Sequence, residues 1–247
     1  MSRKSIIGYV VVPALATAAY FFCVWYSPKF SKDFLHSERG LVEMGTAVTF
    51  LVASCLGWRL LVKTRGVVPG WASIFYGLFA AAGLFVALEE VSYGQKLFHW
   101  DSPGWFTQNN SKHETNLHNM YGNTPSNKMR MVATAGCPVI CLILPFIARI
   151  RQGRYQPGHW TCYVLPRLEL AALAAISLLL TGLHRFRTQG APDMWEHMAE
   201  VRELCWGVIA VCHAGIISGR LIARPASPNA DESRTAELAA ATRLDAA

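Results

Sequence analysis

The chain has 247 residues, of which 52% are hydrophobic and 16% charged, and its formal net charge at pH 7 is +7. Soluble domains carry about 25% charged residues, so this composition favours a membrane protein. The basic residues lie in short clusters beside apolar runs, and the sequence has no zinc finger and no phosphate-binding glycine loop. We therefore expect the lipid bilayer, and no nucleic acid, as a partner.

Apolar runs of about 20 residues are long enough to cross a bilayer as helices. The sequence has six, at residues 6–26, 41–61, 70–88, 131–150, 164–183 and 204–222. The first continues through FFCVWY and exceeds the roughly 7–15 apolar residues of a cleaved signal peptide, so we expect an uncleaved anchor. The runs predict an all-α integral membrane protein, in which about six transmembrane helices form one domain over residues 1–222.

Two segments lie outside these runs. Residues 91–128 form a connection of a length that is usually functional or disordered, and we expect a partly helical, partly irregular loop there. Its Trp100 and Trp105 indicate packing on the membrane surface. Residues 223–247 are rich in alanine, serine and acids, which predicts a disordered tail.

Basic residues are almost evenly divided between the two sides of the predicted bundle. The basic residues on the side of the two termini, from Arg3 and Lys4 to Arg220 and Arg224, lie in tighter groups than those on the other side. They also have fewer acidic residues among them. Because cytoplasmic loops carry an excess of lysine and arginine, we expect the protein in a bacterial inner membrane with both termini on the cytoplasmic side.

Acids and histidines collect on the opposite side, where the loops after the first, third and fifth runs lie together whichever way the chain is oriented. The residues concerned are Glu38, Glu43, Glu89, Glu90, His113, Glu114, His118, His184, Glu196, His197, Glu200 and Glu203. Ionisable residues at the depth of a membrane helix are costly, and they indicate function by default.

Two of the predicted helices also carry small residues in line with these acids. In the last run, Glu196, Glu200 and Glu203 share one helical stripe with Gly207, Ala210, Ala214 and Ser218. In the third run, the small residues Gly77 and Ala81 lie four positions apart, on the turns before Glu89 and Glu90. Small residues mark close helix contacts in membranes, so we expect both acidic groups to face the interior of the bundle.

The stretch HETNLHN, residues 113–119, has two interpretations. Ser111 and Glu114 fit a capping box and Gly122 fits a helix stop, which predicts a short interfacial helix over residues 112–121. In such a helix Glu114 and His118 lie on one face and can share an ion. The stretch is then either a well-capped surface helix or half of a polar site.

Carboxylates and imidazoles together are ligands for zinc, iron and manganese. The candidate ligands of a divalent metal are Glu43, Glu90, Glu114, His118 and Glu200. Glu89, Glu90 and Ser92 are candidates for a catalytic role. The remaining polar core is predicted to contain Glu38, Gln95, Asn116, Asn119, Glu196 and Glu203. His184 and His213 are candidate ligands of a haem or pigment.

The run EEVSYGQKLF, followed by HETNLHN, resembles a pattern found in a bacterial family of multi-pass membrane proteins of uncharacterised activity. An upstream match consists of Glu38, Gly40, Glu43 and Thr46. The resemblance covers residues 36–122. It implies a polar core shared by the family that consists of Glu38, Glu43, Glu89, Glu90, Ser92, Gln95, Glu114, Asn116, His118 and Asn119. It implies no activity.

Four functions fit these patterns. The first is an accessory or assembly subunit of a membrane complex, in which the polar residues are a buried network that fixes packing. The second is a metal-dependent enzyme acting on a lipid or lipid-linked substrate at the exterior face. A transporter, for which Pro138 and Pro145 give the only broken-helix signal, and a haem or pigment protein are the others.

Overall fold

The computed structural model describes residues 8, 11–30, 34–35, 40–117, 119–120, 132, 136, 139–150, 160–185 and 198–222. Its helices are α1 (Val12–Tyr26), α2 (Leu41–Lys63), α3 (Gly70–Glu90), α4 (Gln95–Phe98), α5 (Gly104–Asn109), α6 (Leu144–Ile150), α7 (Trp160–Val164), α8 (Ala171–Arg185) and α9 (Met198–Leu221). A three-residue helical turn lies at Pro28–Phe30. Short 3₁₀ turns lie at Ser92–Gly94 and Leu168–Leu170, and a π-type turn over Val139–Ile143 precedes α6. The described part of the chain is therefore all-α.

The helices α2, α3 and α9 are long and apolar enough to cross a membrane, by length and composition. They contain 23, 21 and 24 residues. At 1.5 Å per residue they are roughly 31–36 Å long, which matches a hydrocarbon core of about 30 Å. Large apolar side chains on the outer faces of α2 and α3, such as Leu51, Trp58, Ile74 and Leu78, are exposed. This is the surface expected of helices in contact with lipid.

Two apolar clusters fix how these three helices are arranged. At one end, Leu60 of α2 and Tyr76 of α3 pack with Ala214 of α9. At the other end, Val42 of α2 packs with Met198 of α9. The helix α9 therefore runs parallel to α2 and antiparallel to α3. The first turns of α2 and α9 and the last turn of α3 consequently lie together, at the end that carries the site.

The other three predicted spans are shorter in the described residues. The helix α1 has 15 residues within the run 6–26, and α6 with its π-type turn covers residues 139–150. A continuous helix from residue 164 to 183 was wrong, because α7 ends at Val164 and α8 begins at Ala171. Pro166 explains the break, since proline lacks an N–H and disfavours a helical residue before it. The tail 223–247 lies outside the described residues.

The small-residue contact predicted for α3 occurs on a different stripe. Ala81 is exposed and Gly77 only half-buried. The buried stripe instead includes Ala80 and Gly83. A Cβ added to Gly83 would lie 3.0 Å from the carbonyl oxygen of Phe50, and Ser54 of α2 donates a 2.7 Å hydrogen bond to the carbonyl of Ala80. Backbones this close require a residue without a side chain on α3.

The predicted small stripe of α9 does contact its neighbour, and Gly207 is the tightest point. A Cβ on Gly207 would collide with the Thr49 hydroxyl and lie 3.0 Å from the Thr49 Cβ. We expect Gly207→Ala to lower stability by about 1–3 kcal/mol, the usual effect of overpacking. Thermal unfolding in detergent measures the change. Gly219→Ala on the same helix is the control, because a Cβ there meets nothing within 4 Å. Equal shifts in melting temperature for both variants would contradict the assignment.

Candidate functional site: a polar network at one end of the bundle

The chain leaves α3 through an unusual backbone. Ser92, Tyr93 and Gly94 all have positive φ, at 49°, 52° and 95°. Non-glycine residues rarely adopt this left-handed conformation, and runs of it persist only where the surroundings hold them in place. The left-handed run turns the chain back across the ends of α2 and α3. It places the fully buried Ser92 and the buried Lys96 above the first turn of α2.

The centre of the site is the ammonium group of Lys96, which lies between two carboxylates. Its Nζ is 3.0 Å from Glu43 Oε2 and 3.5 Å from Glu114 Oε2. All three side chains are buried. Lys112 adds a second positive charge from the loop, with its Nζ 3.6 Å from Glu43 Oε1. The Lys96 ammonium thus occupies the position between the carboxylates that a metal ion would need.

Hydrogen bonds complete the environment of Glu114. Its Oε2 accepts bonds from Ser92 Oγ at 3.0 Å, from Asn116 Nδ2 at 2.6 Å and from Asn119 Nδ2 at 3.2 Å. Asn116 Nδ2 also donates to Ser92 Oγ at 2.9 Å. A buried carboxylate is stable only when its charge is answered by partners of this kind. Glu114 therefore joins the end of α3 to the HETNLHN segment.

The helix predicted over residues 112–121 was wrong, since none of its described residues is helical. The segment is a loop closed by an antiparallel bridge between Asn110 and Met120. The buried Asn110 shapes it, because Asn110 Oδ1 accepts the Lys112 N–H at 2.9 Å and the Glu114 N–H at 3.3 Å. Asparagine side chains that bond nearby backbone in this way compete with helix formation. The helical spacing of Glu114 and His118 therefore does not apply.

Further bonds fasten the loop to the end of α3. The Thr115 N–H donates to Gln95 Oε1 at 2.7 Å, and the Leu117 N–H donates to Glu89 Oε2 at 2.8 Å. Ser102 Oγ accepts from Gln95 Nε2 at 2.9 Å and donates to the carbonyl of His113 at 2.7 Å. Hydrogen bonds of side chains therefore hold together the segment that precedes α5 and the segment that follows it.

Two pKa shifts outside the spans report the charge in this region. Burial lowers the pKa of Lys112, but the negative charges of Glu43, Glu114 and Glu200 outweigh it, and the net pKa is raised. Glu200, which contributes to this rise, lies in the first turn of α9. Partial burial, with a hydrogen bond to Glu89 and its charge, raises the pKa of Tyr93 to about 12. Carboxylate charge therefore determines the direction of the Lys112 shift, whereas burial is the larger cause of the Tyr93 shift.

The structure brings together many of the residues predicted from the sequence. Glu43, Ser92, Glu114, Asn116 and Asn119 join one network, and Gln95 and Glu89 bond its loop. Glu90 and Glu203 are buried at the same end. His113 is exposed, with Nδ1 2.6 Å from the Thr107 carbonyl. Glu38, His118 and Glu196 lie outside the described residues.

Four participants were missed: Lys96, Lys112, Asn110 and Ser102. Lys96 is one of the basic residues that lie close to the end of an apolar run. The need of Glu43 and Glu114 for a buried cation was the signal that could have identified it. Asn110 and Ser102 act through local backbone bonds, which no spacing pattern in this loop predicts.

The metal and haem hypotheses can be compared with this geometry. Among the described residues, no three His, Cys, Asp or Glu side chains are grouped closely enough to hold a metal ion. Because His118 is not among them, the complete predicted ligand set is not tested. His213 is buried and its ring packs edge-on against Phe79, which is the environment of a packing residue.

No family model, curated protein or solved structure matches the chain. The resemblance to the bacterial membrane-protein family through EEVSYGQKLF and HETNLHN therefore stays a prediction. The function has to be argued from the polar network itself.

Proposed function

We propose that the protein is a non-catalytic, multi-pass membrane protein that serves as an accessory or assembly subunit of a membrane complex. In this proposal the six apolar runs all span a bacterial inner membrane, with both termini in the cytoplasm. The polar network lies at the exterior face and fixes the long loop on the helix ends. Other membrane-protein subunits are the partners.

The observation that carries this proposal is the position of Lys96 between Glu43 and Glu114. The charges of both carboxylates are answered by a side chain of the same chain, and Ser92, Asn116 and Asn119 use Glu114 Oε2 as an acceptor. A fully bonded polar network makes a structure rigid and specifies one arrangement. A hydrolytic metal site would need these carboxylates for the ion.

Metal content and stability of the detergent-purified protein test the proposal. We expect no stoichiometric zinc, iron or manganese in the wild type, and we expect Glu114→Gln to lower the melting temperature. Asp101→Asn is the matched control, because Asp101 is an exposed acid of the same loop. Near-stoichiometric metal that is lost in Glu114→Gln but kept in Asp101→Asn would overturn the proposal. The proposal would also be overturned if cross-linking in the native membrane attached no partner and the protein migrated at its own mass.

A second candidate is a metal-dependent enzyme that acts on a lipid or lipid-linked substrate. The left-handed run from Ser92 to Gly94 favours it, because backbone strain of this kind clusters at functional sites. In that case Glu90, Glu200 and His118 would be the remaining ligands. The metal measurement above separates the two candidates, and a positive result would call for a screen of lipid substrates.

A further inference from the structure

The segment that follows α3 has its polar residues inside and its apolar residues outside. Ser92 and Lys96 are buried in the network, whereas Tyr93 and Leu97 are exposed. Phe98 is 79% exposed, the highest value for a large apolar side chain in the described part of the chain. A segment in water would have the opposite arrangement, so this surface requires an apolar cover.

The level of this segment relative to the helices is fixed by its bonds. Lys96 reaches Glu43, in the first turn of α2, and Leu117 of the adjoining loop reaches Glu89, in the last turn of α3. The segment therefore lies flat across the helix ends and does not project away from them. Since α2 and α3 match the thickness of a hydrocarbon core, these ends fall at the headgroup boundary.

The exposed apolar surface continues along the chain from the lipid-facing side of α3. Leu84 and Leu88 are exposed on the last two turns of α3, and Tyr93, Leu97 and Phe98 follow them. Trp100 is exposed as well. Aromatic side chains with an apolar body are enriched where a membrane meets water. The lipid that covers α3 can therefore also cover this segment, and no protein partner is needed for that.

We propose that Tyr93, Leu97, Phe98 and Trp100, here named the aromatic edge, are inserted in the headgroup boundary of the bilayer and anchor the polar network there. The occupant of this surface is lipid. The proposal requires that α2 and α3 span the membrane, but it does not depend on the accessory-subunit function. A protein found to be an enzyme would keep the same anchor.

Nitroxide labels in a lipid bilayer can test the proposal, in a full-length protein whose seven cysteines have been replaced. One label is attached at Phe98→Cys and the control label at Ser111→Cys, which lies in the exposed polar part of the loop. We expect molecular oxygen, which dissolves in lipid, to relax the label at position 98 more than a water-soluble nickel chelate does. The label at position 111 should respond in the opposite order.

Two results would overturn the aromatic edge. A strong response to the nickel chelate at position 98 would place it in water, and a weak response to both reagents would place it under another protein chain. If the cysteine-free protein does not fold, brominated lipids can be used with the native tryptophans. The difference in fluorescence between the wild type and Trp100→Phe gives the emission of Trp100. Bromine near the headgroup should quench this emission more than bromine deep in the acyl chain. Equal or absent quenching contradicts the proposal.

Discussion

Lys96→Met lowers the stability of the folded protein by about 3–5 kcal/mol, the effect of removing one partner from a buried ion pair. The variant leaves Glu43 and Glu114 buried without the cation that lies 3.0 Å and 3.5 Å from them. Methionine retains the length and most of the apolar stem of lysine, so the loss reports the charge and not a cavity. Equilibrium unfolding of the purified protein in mild detergent provides the measurement.

Lys112→Met is the matched control for this experiment. Lys112 also pairs with Glu43, but its side chain is 42% exposed, and exposed ion pairs contribute only about 0–1 kcal/mol. Equal losses in the two lysine variants would show that Lys96 is not the centre of the network.

Asn116→Ala is expected to loosen the attachment of the loop between Asn110 and Met120 to the bundle. The Asn116 amide donates to Ser92 and Glu114, and its oxygen accepts from the side chain of Asn110 and the backbone of Asn119. Each buried group left unsatisfied costs about 1–3 kcal/mol. We therefore expect faster hydrogen exchange at the Ser111 and Leu117 amides, which donate to Asn119 and Glu89.

Asn109→Ala tests whether this effect is specific. The side chain of Asn109 donates only one described bond, to the carbonyl of Trp105 within α5, so its removal should leave exchange in the loop unchanged. Hydrogen exchange followed by mass spectrometry resolves peptides that cover residues 110–120. If both variants accelerate exchange equally, the loop is held by its backbone bridge and not by the Asn116 amide.

The arrangement of the site could be predicted from the sequence because membrane spans alternate in direction. Counting the apolar runs placed Glu43, Glu89 and Glu114 on one side, although they are far apart in the chain. The structure brings Glu43 and Glu114 to the same lysine, and the three long helices place the relevant ends together. The number of spans is a separate prediction, and three of the six have long apolar helices.

The internal structure of the loop could not be predicted in the same way. Residues 111–122 contain good helix-capping residues, yet Asn110 Oδ1 binds two backbone amides that a helix would use differently. Lys96 was missed because a lysine beside a span usually stays at the water interface, and its sequence position alone does not show that its side chain is buried. The break at Pro166, in contrast, was visible in the sequence and could have been predicted.

The Lys96–Glu43 pair joins residues 53 positions apart in the chain. During synthesis, the first turn of α2 enters the membrane before the chain that contains Lys96 has been made. Until then Glu43 lacks the Lys96 ammonium, which lies 3.0 Å from its carboxylate in the folded protein. The loop can therefore close over the helix ends only after the chain that contains Lys96 has been made. A chain that ends after α3 would leave Glu43 buried in the bundle without this ammonium.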